Sequence, residues 1–384
     1  MMERFIIWKR FNLVRVLLLA GLLGCVHDKL DGPDQLGKVI DIELVIPGFE
    51  VPLTRSIEGD NGEAAVRELD LLFFDQSTPS AKLLRHLNVI DFRQESSGAD
   101  YKVKFSLNLA KDDQVGLIVV VVNAAGAVRH ALESNPADAE KQDILKALTF
   151  NTFKDENDSY KWNVRVPGYT PLPMYGEVVM EGLVPGYIVS VSLTRMLARV
   201  DVENKVSGEI FKLEEIYLVN YNTSGYIAPK WNEADGVLVP NPYATNENPM
   251  IPVPSGKQPG VEEAAMKYEY KQAINAPGAL MAGEIYTYEA VKNVKDDPGN
   301  GVCLIIKGKY MGEDYYYRVD FTLESELPLD IAYMPLYRNH KYVVTVTDAE
   351  GIGYRTFEEA LRSFGVLSNL KTSILVVNLE GINH

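Results

Sequence analysis

Apolar and polar residues alternate along much of this chain, and that two-residue period limits the folds open to it more than any other feature. Ile40, Ile42, Leu44 and Ile46 alternate with Asp41, Glu43 and Val45; Tyr101, Val103, Phe105, Leu107 and Leu109 repeat the pattern, and residues 187–193 alternate again. Successive side chains of a strand point to opposite faces, so each run predicts a strand with one face buried. Leu117–Val122 is unbroken apolar sequence, which fits a central strand covered on both faces. Further strands are predicted at 68–75, 213–220, 302–308, 314–322, 340–347 and 374–379. Helical patterns are few: two short ones between Ala124 and Leu148, and one opened by the capping-box spacing of Thr356 and Glu359.

Many short strands separated by turn residues predict a mainly β chain: two β-sandwich domains with a few short helices. Ala198-Arg199-Val200-Asp201-Val202 reads as the passage into the second unit, which puts the boundary near Arg195 and the domains at 56–195 and 196–384. Arg195 and Arg199 flank this junction; either binds a carboxylate, and an ion pair between the domains is the plainer reading. A loop rich in Pro, Gly and Asn spans 222–262, long for a compact domain.

Charge and side-chain chemistry exclude several functions. The chain has 38 basic and 53 acidic side chains and a net charge of −15. Nucleic acid demands clustered Lys and Arg, so it is not an expected partner. The five histidines, His27, His86, His130, His340 and His384, form no metal-binding spacing, and no nucleophile elbow or phosphate loop is present. No enzyme activity, cofactor or metal is therefore expected, and His340 reads as structural. Tyr315-Tyr316-Tyr317 either stacks on a sugar ring or covers a sheet face, the commoner use of tyrosines on a strand. There are two cysteines, Cys25 and Cys303; the apolar setting of Cys303 predicts a buried inert thiol.

The N-terminus carries an export signal. Arg4, Lys9, Arg10 and Arg15 precede an apolar run over 16–24, too short for a bilayer but right for a secretory leader. Leu22-Leu23-Gly24-Cys25 resembles the lipobox of bacterial lipoproteins, which implies a signal peptide of 1–24, a cut after Gly24 and lipid on Cys25. Removing that leader, with four basic groups and one acidic, takes the charge from −15 to −18. A polar tether follows, then the Ile40–Ile46 strand, then Arg55 ahead of a Gly, Asp and Asn-rich stretch over 56–62 that should be exposed and mobile. A cut after Arg55 frees the strand at 40–46 and leaves an apolar groove with unpaired backbone groups, open to strand addition by another chain. Head-to-tail filling of that groove does not close, so it builds a filament.

Beside the lipobox, several segments carry a resemblance: Pro52-Leu53-Thr54-Arg55-Ser56, Leu69-Asp70-Leu71-Leu72-Phe73-Phe74-Asp75, Val121-Val122-Asn123-Ala124, Pro173-Met174-Tyr175-Gly176, Leu193-Thr194-Arg195 with Ala198-Arg199-Val200, and Tyr337-Arg338-Asn339-His340. Together, in this order and spacing, they are similar to the fimbrillin family of Bacteroidales, the subunits of type V pili. The resemblance implies two transthyretin-like β-sandwich domains and travel to the outer membrane as a lipoprotein. It further implies cleavage by an arginine-specific protease and polymerisation by strand exchange into extracellular fimbriae that support adhesion. Arg55, with Ser56 as the new N-terminus, best matches the processing site, making 25–55 a propeptide; Arg67 is the poorer choice because a core strand follows it. Partners would be further copies of this chain, related pilus subunits and the protease. The donor role falls on the C-terminal strand, with Leu375, Val377 and Leu379 facing the groove, or Ile374 and Val376 in the opposite register. The chain departs from the family in lacking a tryptophan there, and Asn378, Gly381 and Asn383 weaken the pattern. A lipid-retaining anchor, a tip subunit and a glycan-binding surface lipoprotein stay open as alternatives.

Overall fold

Side-chain alternation becomes strand pairing in the computed structural model, which describes residues 38–48, 62–97, 100–109, 114–135, 138–151, 162, 164, 170–180, 188–231, 238–240, 265–270, 280–292, 301–323 and 332–378. The chain is mainly β. In the first half the strands are β1 (Lys38–Ile46), β2 (Leu69–Phe74), β3 (Leu83–Asn88), β4 (Arg93–Ser97), β5 (Asp100–Leu109) and β6 (Leu117–Val122), then β7 (Thr149–Asn151), β8 (Met174–Val179), β9 (Ile188–Ser192) and β10 (Thr194–Arg195). All of these but β7 build two sheets, in the orders β4-β5-β1-β9 and β10-β8-β6-β2-β3. The apolar run of β6 lies in the middle of its sheet and all six of its residues are buried, as predicted. Two short helices, α1 (Ala125–Glu133) and α2 (Lys141–Ala147), follow it where the sequence places them.

The second half supplies β11 (Ala198–Asn204), β12 (Phe211–Val219), β13 (Ser224–Tyr226), β14 (Lys230–Trp231), β15 (Leu238–Val239), β16 (Met266–Glu269) and β17 (Leu280–Thr287). After these come β18 (Cys303–Tyr310), β19 (Glu313–Asp320), β20 (Thr322–Leu323), β21 (Ala332–Tyr333), β22 (His340–Ala349) and β23 (Leu370–Asn378). Its main sheets run β17-β11-β22-β23 and β16-β12-β18-β19. Between them lies one apolar cluster to which both sheets contribute, with Val200, Val202, Tyr342 and Val344 from one and Phe211, Ile216, Leu304 and Tyr317 from the other. This is β-sandwich packing. The stretch read as a passage between units is itself a strand, β11, at the centre of its sheet: it lies between β17 and β22 and runs parallel to β22. None of the four main sheets mixes strands from before and after residues 196–197, whereas a small ladder joins the halves by pairing β13 with β7. The described residues of 39–107 and those from 114 onward belong to one compact unit.

The outer face of the β12–β18 sheet is covered by α3 (Phe357–Arg362), whose start is fixed by the predicted capping box: Thr356 accepts from the Glu359 N–H while Glu359 accepts from the Thr356 N–H. Phe357, Ala360 and Leu361 pack on Tyr217, Val219, Cys303 and Ile305.

Gly176 marks a close approach between the two sheets of the first half. A Cβ there would lie 2.8 Å from the Ser192 carbonyl oxygen and 3.0 Å from Val191 Cγ1. Gly176→Ala should therefore cost about 1–3 kcal/mol of stability through overpacking. Gly126→Ala in α1, where nothing lies within 4 Å, should instead add about 0.5–1 kcal/mol from helix propensity. Denaturant melts of the two variants beside the parent check the opposite signs.

Candidate functional site

The first strand is an interior strand of its sheet. β1 lies between β5 and β9 and runs parallel to β9, with Asp41 opposite Ile188 and Val45 opposite Ser192. Its inward residues Ile42, Leu44 and Ile46 are at most 1% exposed and Ile40 is 7% exposed. Burying four such side chains is worth roughly 6–12 kcal/mol. On the outward face Asp41 and Glu43, flanked by Val39 and Val45, tie β1 to β5: Ser106 Oγ donates to Asp41 at 2.7 Å, and Lys102 Nζ pairs with Glu43 at 2.7 Å.

The chain re-enters the described structure at Gly62, which is buried, so the exposure expected of the 56–62 stretch fails at its last residue. A Cβ on Gly62 would fall 2.2 Å from the Val164 carbonyl oxygen, which explains the glycine. Glu63 follows at 2% exposure. Arg199 Nη1 donates to its two carboxylate oxygens at 3.0 and 3.1 Å, and the Tyr286 hydroxyl donates to one of them. Arg195 Nε donates to the Glu63 carbonyl at 3.1 Å and its Nη1 to Asn339 Oδ1 at 3.2 Å. Arg199 also grips Asp201 through two bonds of 2.8 and 3.0 Å. Burial opposes the charge on Arg199, but Asp201 and Glu63 together outweigh it and hold the guanidinium more firmly protonated than usual. Burial first, and then the Glu63 carboxylate, push the Tyr286 hydroxyl well up. The two junction arginines are thus partners of a carboxylate segment that the sequence reading missed.

Beyond Glu63 the backbone is held by two amide side chains. Gln94 accepts from the Val66 N–H at 3.2 Å and donates to the Ala64 carbonyl at 2.8 Å. Asn123 accepts from the Arg67 N–H at 2.8 Å and donates to the Ala65 carbonyl at 2.7 Å. Asn123 sits directly after β6 with φ of 57°, a region that asparagine tolerates better than most residues.

Of the predicted site residues, Gly24, Cys25, Arg55, Ser56 and Leu379 lie outside the described residues. Leu375 and Val377 fall on β23, the edge strand of its sheet, opposite Val343 and Lys341 of β22. Leu375 is 54% exposed, whereas Ile374 and Val376 pack against the apolar core. The three adjacent tyrosines make no sugar platform: Tyr315 and Tyr317 are buried in the core, and Tyr316 meets Phe357 edge-on at 6.2 Å on the other face. Cys303 is buried and unpaired, and burial pushes its thiol up to about 12, which suits the inert role read from its neighbours. The His340 ring lies 2.7 Å through Nδ1 from the Arg338 carbonyl, a structural contact. Among the described residues no three His, Cys, Asp or Glu side chains are placed to hold a metal, and no helix is long and apolar enough to cross a membrane.

No protein-family profile and no curated protein matches the chain. Among solved structures it is similar to the tip fimbrial protein Mfa3 from Porphyromonas gingivalis, determined with a C-terminal truncation. The identity is 16% and the TM-score 0.44, over 87% of this chain and 99% of that one. It is also similar to a fimbrial assembly protein from Parabacteroides distasonis, at 13% identity and a TM-score of 0.44 over 90% of this chain and 97% of that one.

Arg199→Leu should cost about 3–5 kcal/mol, because it removes the buried guanidinium that pairs with both Glu63 and Asp201. Arg199→Lys should recover part of that loss, since a single ammonium cannot reproduce the two-pronged contact with Asp201. Chemical denaturation of both variants measures the difference.

Proposed function

We propose that this chain is a structural subunit of a cell-surface fimbria: carried to the outer membrane as a lipoprotein on Cys25, cut after Arg55, and joined to further copies by strand exchange. The observation that carries the reading is the position of β1. It is the first described strand, it is buried between β5 and β9, and its only onward connection runs through 49–61, which contains Arg55. A single cut there separates β1 from the rest of the chain. Removal would leave β5 and β9 each with an unpaired edge and would open an apolar slot lined by the partners of Ile40, Ile42, Leu44 and Ile46. Such a slot is strongly unfavourable in water and is relieved by another extended segment.

The occupant is supplied by the far end of a second copy. β23 stands at a sheet edge, bonded to β22 alone among the named strands of its sheet, and its apolar, β-prone run Ile374-Leu375-Val376-Val377 has a composition suited to a replacement strand. Each subunit then offers one slot and one strand on different surfaces, the arrangement that gives an open filament. With Tyr315 and Tyr317 in the core, the glycan-binding alternative rests on the 222–262 loop alone, whose residues 232–237 and 241–262 lie outside the described ones.

Surface material isolated from producing cells should begin at Ser56, by N-terminal sequencing, and run as a ladder of oligomers. Arg55→Ala should leave a monomer that retains β1 and melts like the parent. Filaments whose subunits keep Cys25 would overturn the polymerising-subunit reading and point to a lipid-retaining anchor.

A further inference from the structure

Arg67 has an exposed side chain beside a backbone that is already committed. An endoprotease specific for arginine recognises the side chain, but it also binds the flanking residues as an extended strand through their N–H and C=O groups. Around Arg67 those groups are taken. Besides the four bonds from Gln94 and Asn123 described above, the Glu68 N–H donates to Asn123 Oδ1 at 3.4 Å, and the Glu68 carbonyl accepts from the Asn123 N–H at 3.0 Å. Asn123 is itself only 4% exposed, and its Nδ2 also donates to the Leu172 carbonyl at 2.8 Å, so its side chain is fixed from two directions. On one side the segment runs straight into β2, whose six residues are all buried. On the other it ends at Glu63 and its bonds to Arg195, Arg199 and Tyr286.

We propose that Gln94 and Asn123 act as a clamp that withholds the Arg67–Glu68 bond from arginine-directed proteolysis and so determine where processing stops. A cut after Arg67 would release Glu63 together with the buried Ala64 and Val66 and leave β2 at a frayed terminus. A cut upstream of Gly62 leaves all of those contacts in place. Gln94 and Asn123 are positioning residues: they select the scissile bond by making one exposed arginine unreadable. The inference rests on the processing step proposed above, yet protection at Arg67 is read separately from any cut at Arg55.

The test is limited digestion of the full chain with an arginine-specific endoprotease under native conditions, followed by mass analysis. The parent should give no fragment starting at Glu68 while it stays folded. In the double variant Gln94→Ala with Asn123→Gly, where glycine keeps the positive φ, that fragment should appear about tenfold faster or more. Amide exchange at Arg67 and Glu68 should speed up by a similar factor, as expected for the loss of several hydrogen bonds that oppose local opening. Cleavage of the parent after Arg67 as fast as in the variant overturns the proposal. So does a double variant that melts like the parent and still resists. If the double variant does not fold, Gln94→Ala alone carries the test, through faster exchange at Val66 and the same fragment; no change in either overturns the clamp. A protected Arg67 beside an uncut Arg55 counts against the processing step and leaves the clamp standing.

Discussion

An interior strand of a sheet is bonded along both of its edges, and that constraint on β1 governs how this molecule can behave. Withdrawing a strand from between β5 and β9 exposes two rows of N–H and C=O groups and the apolar surface beneath them. Each unsatisfied buried polar group costs about 1–3 kcal/mol, so an emptied slot would be strongly unfavourable in water. Stability of the sheet β4-β5-β1-β9 is therefore tied to occupancy of that one position. Cys303, the one cysteine among the described residues, is unpaired, so no covalent tie there relaxes the requirement.

Buried charge pairs take the place of such ties. Arg199 lies between Glu63 and Asp201; Arg318 pairs with Asp320 at 2.7 Å; Arg338 pairs with Glu289 at 2.7 Å with both side chains almost fully enclosed. Pairs of this kind contribute little net stability compared with apolar packing, but breaking one is costly, so they fix which segments meet. Arg338 also donates to the carbonyls of Tyr226 and Ile227, and so steadies the strand β13 that pairs with β7 from the first half. Glu63 performs the same task for the chain just after the proposed cleavage point. Proteolysis upstream would leave that end fastened.

How much of this was legible in the sequence follows from what imposed each pattern. β1, β5 and β9 could be read because burial of one face forces a two-residue period, and β6 because burial of both faces removes it. β3 and β4 could not: residues such as Leu84, Leu87 and Arg93 face solvent on edge strands, where no period is enforced. β11 reads as a connection in the sequence because its inner and outer positions, Val200 and Asp201, are both buried, the latter among ions. Arg195 and Arg199 announced an ion pair, but nothing in a stretch of Gly, Asp and Asn singles out Glu63 as its partner. Asn123 carried a faint signal, an asparagine ending an apolar strand where the backbone turns through positive φ. The parallel pairing of β1 with β9 joins positions nearly 150 residues apart, and register over such a distance leaves no local trace.

The two strands of the proposed exchange differ in a way that supplies its driving force. β23, in its own subunit, is an edge strand: it has one bonded neighbour, Ile374 and Val376 are only partly buried, and Leu375 is half exposed. The position of β1 offers two bonded neighbours and encloses four inward side chains almost completely. A strand that leaves the first environment for the second exchanges one hydrogen-bonded ladder for two and partial burial for full burial. The loss to the donor falls on an edge strand that is buried over one face only, with Leu370, Ile374 and Val376 against the core, while the gain to the acceptor would restore the interior of a sheet. This asymmetry would favour the proposed transfer once β1 had gone. With β1 in place there is no vacancy to fill, so the intact chain has no competing reason to give up its last strand.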